Sequence, residues 1–302
     1  MKRTLSILIP VILLSIIGVV MITSSSIIWA EYKFDDPYKY FKSQFIFFIV
    51  SFIILIVISK IDYKTYYKNS NKIMFCSTLL LILVLIPGIG TIRNGSRSWF
   101  GIGGLGIQPS EFMKLSIIIF ISKYLSNNEK SIREIKKGVF PILGFIMLIF
   151  GLIMLQPDFG TGIIIVMISI SLLFVAGVNF NFFFKIGFLG VIGIVALIVV
   201  APYRLKRIVS FLNPWNDPLG SGFQIIQSLY AIGPGGLYGY GIGNSRQKHF
   251  YLPEPQTDFI FSIIVEELGF LGCLIIIILF GTIIYNGFKI SKNCNNLFSK
   301  YV

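Results

Sequence analysis

Long apolar segments are the feature of this sequence that most restricts its fold. A transmembrane helix needs about 20 apolar residues, and the 302-residue chain contains a series of segments near that length. The candidate spans cover residues 5–30, 45–61, 73–92, 110–125, 139–156, 161–178, 182–202 and 259–290. Because only 13% of the residues are charged, the chain lacks the polar surface of an ordinary soluble domain. We therefore predict an all-α, polytopic transmembrane bundle of about eight spans, forming a single membrane domain over residues 1–302.

The distribution of basic residues predicts the orientation of these spans. The first apolar stretch, from Leu5 to about Ala30, exceeds the roughly 7–15 residues of a cleaved signal peptide, so it is interpreted as a span. With the amino terminus inside, more than half of the 26 Lys and Arg residues fall in cytoplasmic segments, as the positive-inside rule requires. Both termini are therefore predicted to be cytoplasmic. The net charge of +13 then reflects topology, and we expect no nucleic-acid partner.

One predicted outer segment is much longer than a connector. Residues 203–257 form an extracellular loop of about fifty residues, rich in aromatic residues and glycine. Long loops of this composition are more often functional elements than tethers. We expect this loop to carry part of a site.

Polar residues gather in four clusters that all fall on the predicted outer side. The clusters span residues 94–115, 156–161, 203–215 and 247–269. Turn formation explains the second cluster equally well, and anchoring at the lipid headgroups explains the arginines near Trp99. These explanations do not account for ionisable residues inside spans, because inserting each such residue into the bilayer costs roughly 2.5–3.5 kcal/mol on insertion scales. Such residues are Glu111, Lys114, Glu266 and Glu267.

Cations beside carboxylates at a membrane surface suit the transfer of a sugar from a lipid pyrophosphate. Arginine and lysine bind phosphates, and a carboxylate acts as general base on a sugar hydroxyl. Asp258 is the candidate base, because Thr257 is a typical N-cap and would place Asp258 in the first turn of the last helix. The candidate pyrophosphate ligands are Arg97, Lys114, Arg204, Arg207, Arg246 and Lys248. A Mg²⁺ or Mn²⁺ ion bridging carboxylate and pyrophosphate is compatible with this chemistry, but no ligand set marks a metal site.

Four motifs carry a resemblance to a known family. They are Gln108–Leu115 (QPSEFMKL), Gln156–Thr161 (QPDFGT), Gln227–Leu237 (QSLYAIGPGGL) and Leu252–Phe261 (LPEPQTDFIF). In these motifs the chain resembles the FtsW/RodA/SpoVE family of shape, elongation, division and sporulation proteins. The sequence of residues 251–258 is most similar to that of the FtsW/SpoVE branch.

This resemblance implies a peptidoglycan glycosyltransferase. Members of the family polymerise lipid II, the undecaprenyl-pyrophosphate-linked disaccharide peptide, and work with a class B penicillin-binding protein. The essential loop aspartate of the family matches Asp258. Its outer acidic and basic residues match Asp158, Arg97, Lys114 and Glu254, which are therefore candidate substrate-binding residues. The implied setting is the outer face of the bacterial cytoplasmic membrane, in cell division or sporulation.

The chain also departs from the family pattern. Many members carry two arginines where this chain has Arg97 and Ser98. The family usually has ten spans, and this sequence accounts for eight. Two other functions therefore stay open at this point. They are a lipid II flippase or transporter, and a non-catalytic, truncated scaffold for a class B penicillin-binding protein.

Overall fold

Helices form most of the protein, which confirms the helical fold class. A computed structural model describes residues 2–93, 95–102, 105–200 and 203–302. The α-helices are α1 (Lys2–Phe34), α2 (Lys39–Ser59), α3 (Tyr63–Leu83), α4 (Pro109–Asn127), α5 (Phe140–Met154), α6 (Phe159–Val175), α7 (Phe180–Val200), α8 (Tyr203–Leu212), α9 (Phe223–Ile232), α10 (Ile260–Lys292) and α11 (Leu297–Tyr301). The strands are β1 (Gly90–Arg93), β2 (Ser96–Ile102) and β3 (Leu105–Ile107). The chain divides into two compact units, Met1–Lys60 with Val191–Ile290, and Ile61–Gly190 with Ser291–Val302.

Several helices suit a lipid environment. Among the described residues, four helical segments are long and apolar enough to cross a membrane: Thr4–Phe34, Lys39–Ser59, Ile135–Met154 and Ile260–Lys292. Two further apolar helices, Phe159–Val175 and Phe180–Gly193, are shorter. From Phe45 to Ile58, α2 carries one polar residue, Ser51, and the helix buries none of its residues. A helix of that kind is stable where apolar side chains meet lipid rather than water.

The second unit has a core of aliphatic side chains from α3, α4, α5 and α6. Its fully buried members include Leu81, Met113, Ile117, Ile146 and Ile165. Serines line the contact between α3 and α4, where the hydroxyls of Ser77 and Ser116 bond to each other. Small residues at helix contacts allow close packing in a bilayer, where lipid tails remove most of the hydrophobic drive between helices.

A small sheet in this unit departs from the all-α prediction. Residues 73–92 were expected to form one span, but α3 begins earlier and ends at Leu83, and β1 begins at Gly90. Pro87 and Gly88, whose φ is +90°, lie between them and end the helical path. Strands β1, β2 and β3 then form an antiparallel sheet in chain order. Apolarity alone did not reveal this change from helix to sheet.

The predicted long loop is largely ordered. Residues 203–257 contain α8, α9 and two short 3₁₀ turns, Pro214–Asn216 and Gly233–Gly235. The segment that follows α9 returns to α10 and forms backbone hydrogen bonds with it. Residues 203–257 are therefore a structured part of the first unit, and they include most of the candidate residues.

Candidate functional site

Helix α10 is broken near its start, and the preceding loop pairs with it there. Gly269 has φ +66° and ψ −164°, so the helical path is interrupted within the 33 residues of α10. Four backbone hydrogen bonds join the loop to the break: Tyr240 N–H to Glu266 C=O (3.0 Å), Gly241 N–H to Glu267 C=O (2.9 Å), Phe270 N–H to Gly236 C=O (2.9 Å) and Leu271 N–H to Leu237 C=O (3.1 Å). They satisfy the backbone groups that the break releases, as irregular backbone near a membrane requires.

Two glycines permit this pairing by allowing the backbones to approach closely. A Cβ atom on Gly269 would lie 2.4 Å from the backbone N of Gly239. A Cβ atom on Gly239, whose φ is +72°, would lie 2.3 Å from the backbone O of Glu267. Only glycine avoids both the clash and the strain of a positive φ. The part of α10 from Phe270 to Lys292 is about 34 Å long at 1.5 Å per residue, which is enough to span a bilayer without the first part.

Two buried carboxylates stand at the end of the first part of α10. Glu266 is 1% exposed and Glu267 is fully buried. The carboxylate of Glu266 accepts hydrogen bonds from the hydroxyl of Ser245 (2.6 Å) and the N–H of Arg246 (2.8 Å). The carboxylate of Glu267 accepts bonds from the hydroxyl of Ser24 in α1 (2.7 and 2.8 Å) and the N–H of Ser245 (3.2 Å). Buried carboxylates need such partners, because an unpaired charge in a protein interior is very costly.

Lys248 completes this network. Its Nζ lies 3.2 Å from Oε1 of Glu267 and 2.5 Å from the carbonyl oxygen of Gly243, and the side chain is only 3% exposed. The sequence-based hypothesis made Lys248 a ligand of pyrophosphate. The structure instead places its ammonium group inside the protein, where it pairs with the carboxylate of Glu267.

Asp258 lies in a turn just before α10, which corrects the expected start of this helix. Helix α10 begins at Ile260, and the hydroxyl of Thr257 bonds back to Glu254, to its carbonyl and to its carboxylate, at 3.2 Å each. Thr257 is therefore not the N-cap that the sequence suggested. Asp258 is exposed. No described residue forms a hydrogen bond or ion pair with its carboxylate.

Polar side chains surround a cavity in the same loop. A cavity of about 530 Å³ is lined by Arg246, Gln247, His249 and Tyr251. The guanidinium of Arg246 stacks over the ring of Tyr240, 5.0 Å from its centroid. Arg246 is exposed, as predicted for a ligand-binding cation. Two further predicted cations are at positions 204 and 207 of α8, and the side chains of Arg204 and Arg207 lie outside the described residues.

The other unit brings two of the sequence motifs together. The side-chain amide of Gln108, just before α4, donates to Asp158 at 2.9 Å. The other oxygen of Asp158 accepts from the N–H of Thr161 at 3.2 Å and so caps α6. The side chain of Gln156 donates to the carbonyl of Leu81 at 3.2 Å. The starts of α4 and α6 and the end of α3 therefore meet at one end of this unit.

The remaining predicted residues of this unit lie near these helix ends. Lys114 pairs with Glu111 one turn earlier in α4, at 2.8 Å, and its side chain is about one quarter exposed. Arg97 is half-buried in β2 and donates to the carbonyl of Leu85 at 3.4 Å. Both cations keep donors for a ligand, since each makes one such polar contact with the residues that the structure describes.

The candidate residues thus fall into two groups. One unit holds Asp258, Arg246, Lys248 and Glu254, and the other holds Arg97, Lys114 and Asp158. Sequence reasoning missed Ser24 and Ser245, which lie far from Glu267 along the chain and carry no motif. Among the described residues, no three His, Cys, Asp or Glu side chains gather as metal ligands.

Comparisons with known proteins identify similar sequences over nearly the whole chain. The family model for FtsW, RodA and SpoVE cell cycle proteins matches residues 4–302. Stage V sporulation protein E of Bacillus subtilis is 51% identical over 291 residues, which cover 96% of this chain and 80% of that protein. A probable peptidoglycan glycosyltransferase FtsW of Trichlorobacter lovleyi is 39% identical over 298 residues, covering 99% of this chain and 78% of that protein.

Solved structures share the fold. A chain from a peptidoglycan synthase complex that coordinates polymerization and crosslinking superposes with a TM-score of 0.69 and 26% identity, covering 95% of this chain and 80% of that one. The rod shape determining protein RodA of Thermus thermophilus has a TM-score of 0.68 at 22% identity, covering 98% and 78%. The second match shows the fold alone.

Proposed function

The chain belongs to the FtsW/RodA/SpoVE family of multi-pass membrane proteins, and from this membership we propose that it is a peptidoglycan glycosyltransferase that polymerises lipid II. The polymerisation serves cell division or sporulation, the processes for which its relatives are named. The excess of basic residues in alternate loops supports cytoplasmic termini. The loop that carries Asp258 then lies at the outer face of the membrane.

The exposed carboxylate of Asp258 is the observation that carries this proposal. Glu266 and Glu267 in α10 are buried and fully engaged. Glu254 is exposed but accepts from the hydroxyl of Thr257, whereas no described residue forms a hydrogen bond or ion pair with the carboxylate of Asp258. In the proposed step, Asp258 takes the proton of an acceptor sugar hydroxyl. The oxygen of that hydroxyl attacks the anomeric carbon of the donor, and the bond from this carbon to the lipid pyrophosphate breaks with inversion. A positioned general base of this kind typically contributes about 10²–10⁴-fold in rate.

Cationic side chains are required to stabilise the leaving pyrophosphate, and the solvent exposure of each side chain ranks the candidates. Arg246 is exposed beside the cavity in the unit that carries Asp258, so it is the preferred ligand. Arg97 and Lys114 stay candidates on the basis of the sequence. Arg204 and Arg207 follow as candidates on the basis of sequence alone. Asp158 and Glu254 are proposed to orient the sugar or the peptide. Lys248 is assigned a structural part because it is paired internally.

A divalent cation stays a prediction. Mg²⁺ commonly takes one or two carboxylates together with phosphate oxygens of the substrate. Such an ion would therefore need ligands from the pyrophosphate as well as from Asp258, since the described residues offer no protein-only cage.

A class B penicillin-binding protein is the proposed partner. The similar chain of known structure belongs to a complex that coordinates polymerization with crosslinking. A polymerase of glycan strands needs an enzyme that crosslinks them, and the partner supplies this activity in our proposal.

The test separates a polymerase from a lipid II transporter. Purified protein, with and without the partner, is given labelled lipid II, and the products are resolved by glycan length. In parallel, the protein is placed in vesicles and the movement of lipid II between leaflets is followed. We expect glycan strands and no lipid II movement above that of protein-free vesicles. Transport without polymer, even with the partner present, would contradict the proposal.

A further inference from the structure

The buried pair of Lys248 and Glu267 has no direct part in the proposed chemistry, and yet it lies at the base of the loop that carries Asp258. We propose that these two side chains are positioning residues for Asp258. Their ion pair fixes the loop from Gly239 to Asp258 against α10 in a single arrangement. The link to catalysis rests on the proposed glycosyltransferase function, whereas the link to loop structure does not.

The chemistry of the pair favours a specific arrangement over general stability. A buried ion pair gains little over apolar residues of the same size, because both charges lose their hydration. The pair instead specifies one geometry, because its partners also form directional hydrogen bonds. Glu267 accepts from Ser24 and from the N–H of Ser245, and Lys248 donates to the carbonyl of Gly243. Three separate segments of the chain are thereby held at one point. A shifted loop would leave at least one of these charges unpaired in the interior.

The fixed point is connected to Asp258 by a short, anchored segment. Leu252 follows Lys248 by four residues, is 1% exposed and packs in a cluster with Met21, Ile263 and Ile264. The N–H of Leu252 also donates to the carbonyl of Gln247 at 3.0 Å. The segment between Leu252 and α10 is therefore held at both ends, and Asp258 projects from it into solvent. Release of Lys248 would free one of these ends.

Accessibility of Leu252 measures the proposed arrangement without any need for activity. Leu252→Cys is introduced after Cys76, Cys273 and Cys294 have been replaced by serine, and its labelling rate with a maleimide is measured in the full-length folded protein. Lys248→Met and Glu267→Gln are each expected to raise this rate by at least about tenfold, because local opening becomes easier when a buried charge loses its partner. Lys248→Arg keeps the charge and should restore slow labelling.

An exposed ion pair in the same unit provides the matched control. Lys42 pairs with Asp36 at 2.8 Å, and its side chain is 62% exposed. Lys42→Met removes a pair of the same type, but it should leave the labelling rate of Leu252→Cys within about twofold of the starting protein. If Lys248→Met fails to fold, the double variant Lys248→Met/Glu267→Gln removes both charges and is expected to fold, since no charge is left unpaired.

Kinetics then connect the loop to catalysis. In the folded variants we expect kcat for lipid II polymerisation to fall by about 10- to 100-fold, with KM for lipid II changed less than about threefold, because a small displacement of a catalytic group lowers rate rather than binding. Labelling that stays slow in the folded Lys248 and Glu267 variants would overturn the proposal. So would fast labelling with an unchanged kcat. If the unmutated protein makes no glycan, the proposed function fails, and the labelling result still decides whether the pair holds the loop.

Discussion

The buried network of Lys248, Glu266 and Glu267 and the helix ends around Asp158 both collect charged residues, but they hold them in opposite ways. In this network both carboxylates are buried in α10, and their partners come from α1 and from the preceding loop, as Ser24 and Ser245 illustrate. At the helix ends, Asp158 caps its own helix and Lys114 pairs within α4, and both stay partly exposed. Similar acidic and basic residues therefore fix the backbone in the buried network, whereas those at the helix ends stay partly exposed to a ligand.

The sharpest contrast is expected between the two ion pairs. Lys248→Met leaves Glu267 as a buried charge without its cation and should lower the free energy of unfolding by about 3–5 kcal/mol. Lys114→Met breaks a partly exposed pair with Glu111 within α4 and should cost less than about 1 kcal/mol. Unfolding midpoints of the two variants in the same detergent check this expectation. Equal midpoints would erase the distinction between the two regions.

The next largest effect is expected at the break in α10. Gly269→Ala places a methyl group against the backbone of Gly239 and forces a positive φ on alanine, at a cost of about 2–3 kcal/mol. Gly281→Ala is the matched control in the same helix, since nothing lies within 4 Å of its Cβ position. Alanine there should be neutral or stabilising by up to about 1 kcal/mol. A thermal unfolding series that ranks the two variants in the reverse order would show that the loop does not pair with α10.

A smaller effect is expected at Asp158. Asp158→Ala removes the cap of α6 and the bond from Gln108, and should lower the free energy of unfolding by about 1 kcal/mol. Asp158→Asn keeps an acceptor for the N–H of Thr161 and should recover most of that loss. Denaturant titration of both variants distinguishes a capping role from a role of the charge itself.

The smallest effect concerns acid sensitivity in the turn after α8. The N–H and then the hydroxyl of Ser221 donate to Asp217 and hold the pKa of its carboxyl below the usual value. A lowered pKa in the folded state means that this contribution to stability is present above the pKa of the unfolded chain and is lost as pH falls through the folded pKa. Asp217→Asn should therefore show a slightly weaker loss of stability than the unmutated protein as pH is lowered below about 4. Parallel acid profiles of the two proteins would contradict the assignment.

Sequence patterns predicted the parts of this protein that local chemistry determines. Apolar length predicts helices close to α1, α2 and α5, and the motif before α6 predicts Asp158 as a turn or site residue, which the structure places as the cap of that helix. The sequence does not predict the break at Gly269, because its immediate neighbours Leu268 and Phe270 are apolar residues that fit a continuous helical span. Lys248 was assigned to a ligand because sequence does not reveal burial, and its partner is distant along the chain. Local sequence patterns therefore identify the charged residues, whereas packing between segments that are separate along the chain determines which of them remain exposed.

The central claim is that Asp258 is the carboxylate left free for chemistry. Asp258→Asn keeps the size of the side chain and removes the base, so the polymerisation rate of purified protein on labelled lipid II should fall by about 10²–10⁴-fold. Because no described residue forms a hydrogen bond or ion pair with this carboxylate, the unfolding midpoint should stay the same, and lipid II binding should persist. Glycan formation at an undiminished rate by the Asn variant would contradict the claim and remove Asp258 from the mechanism.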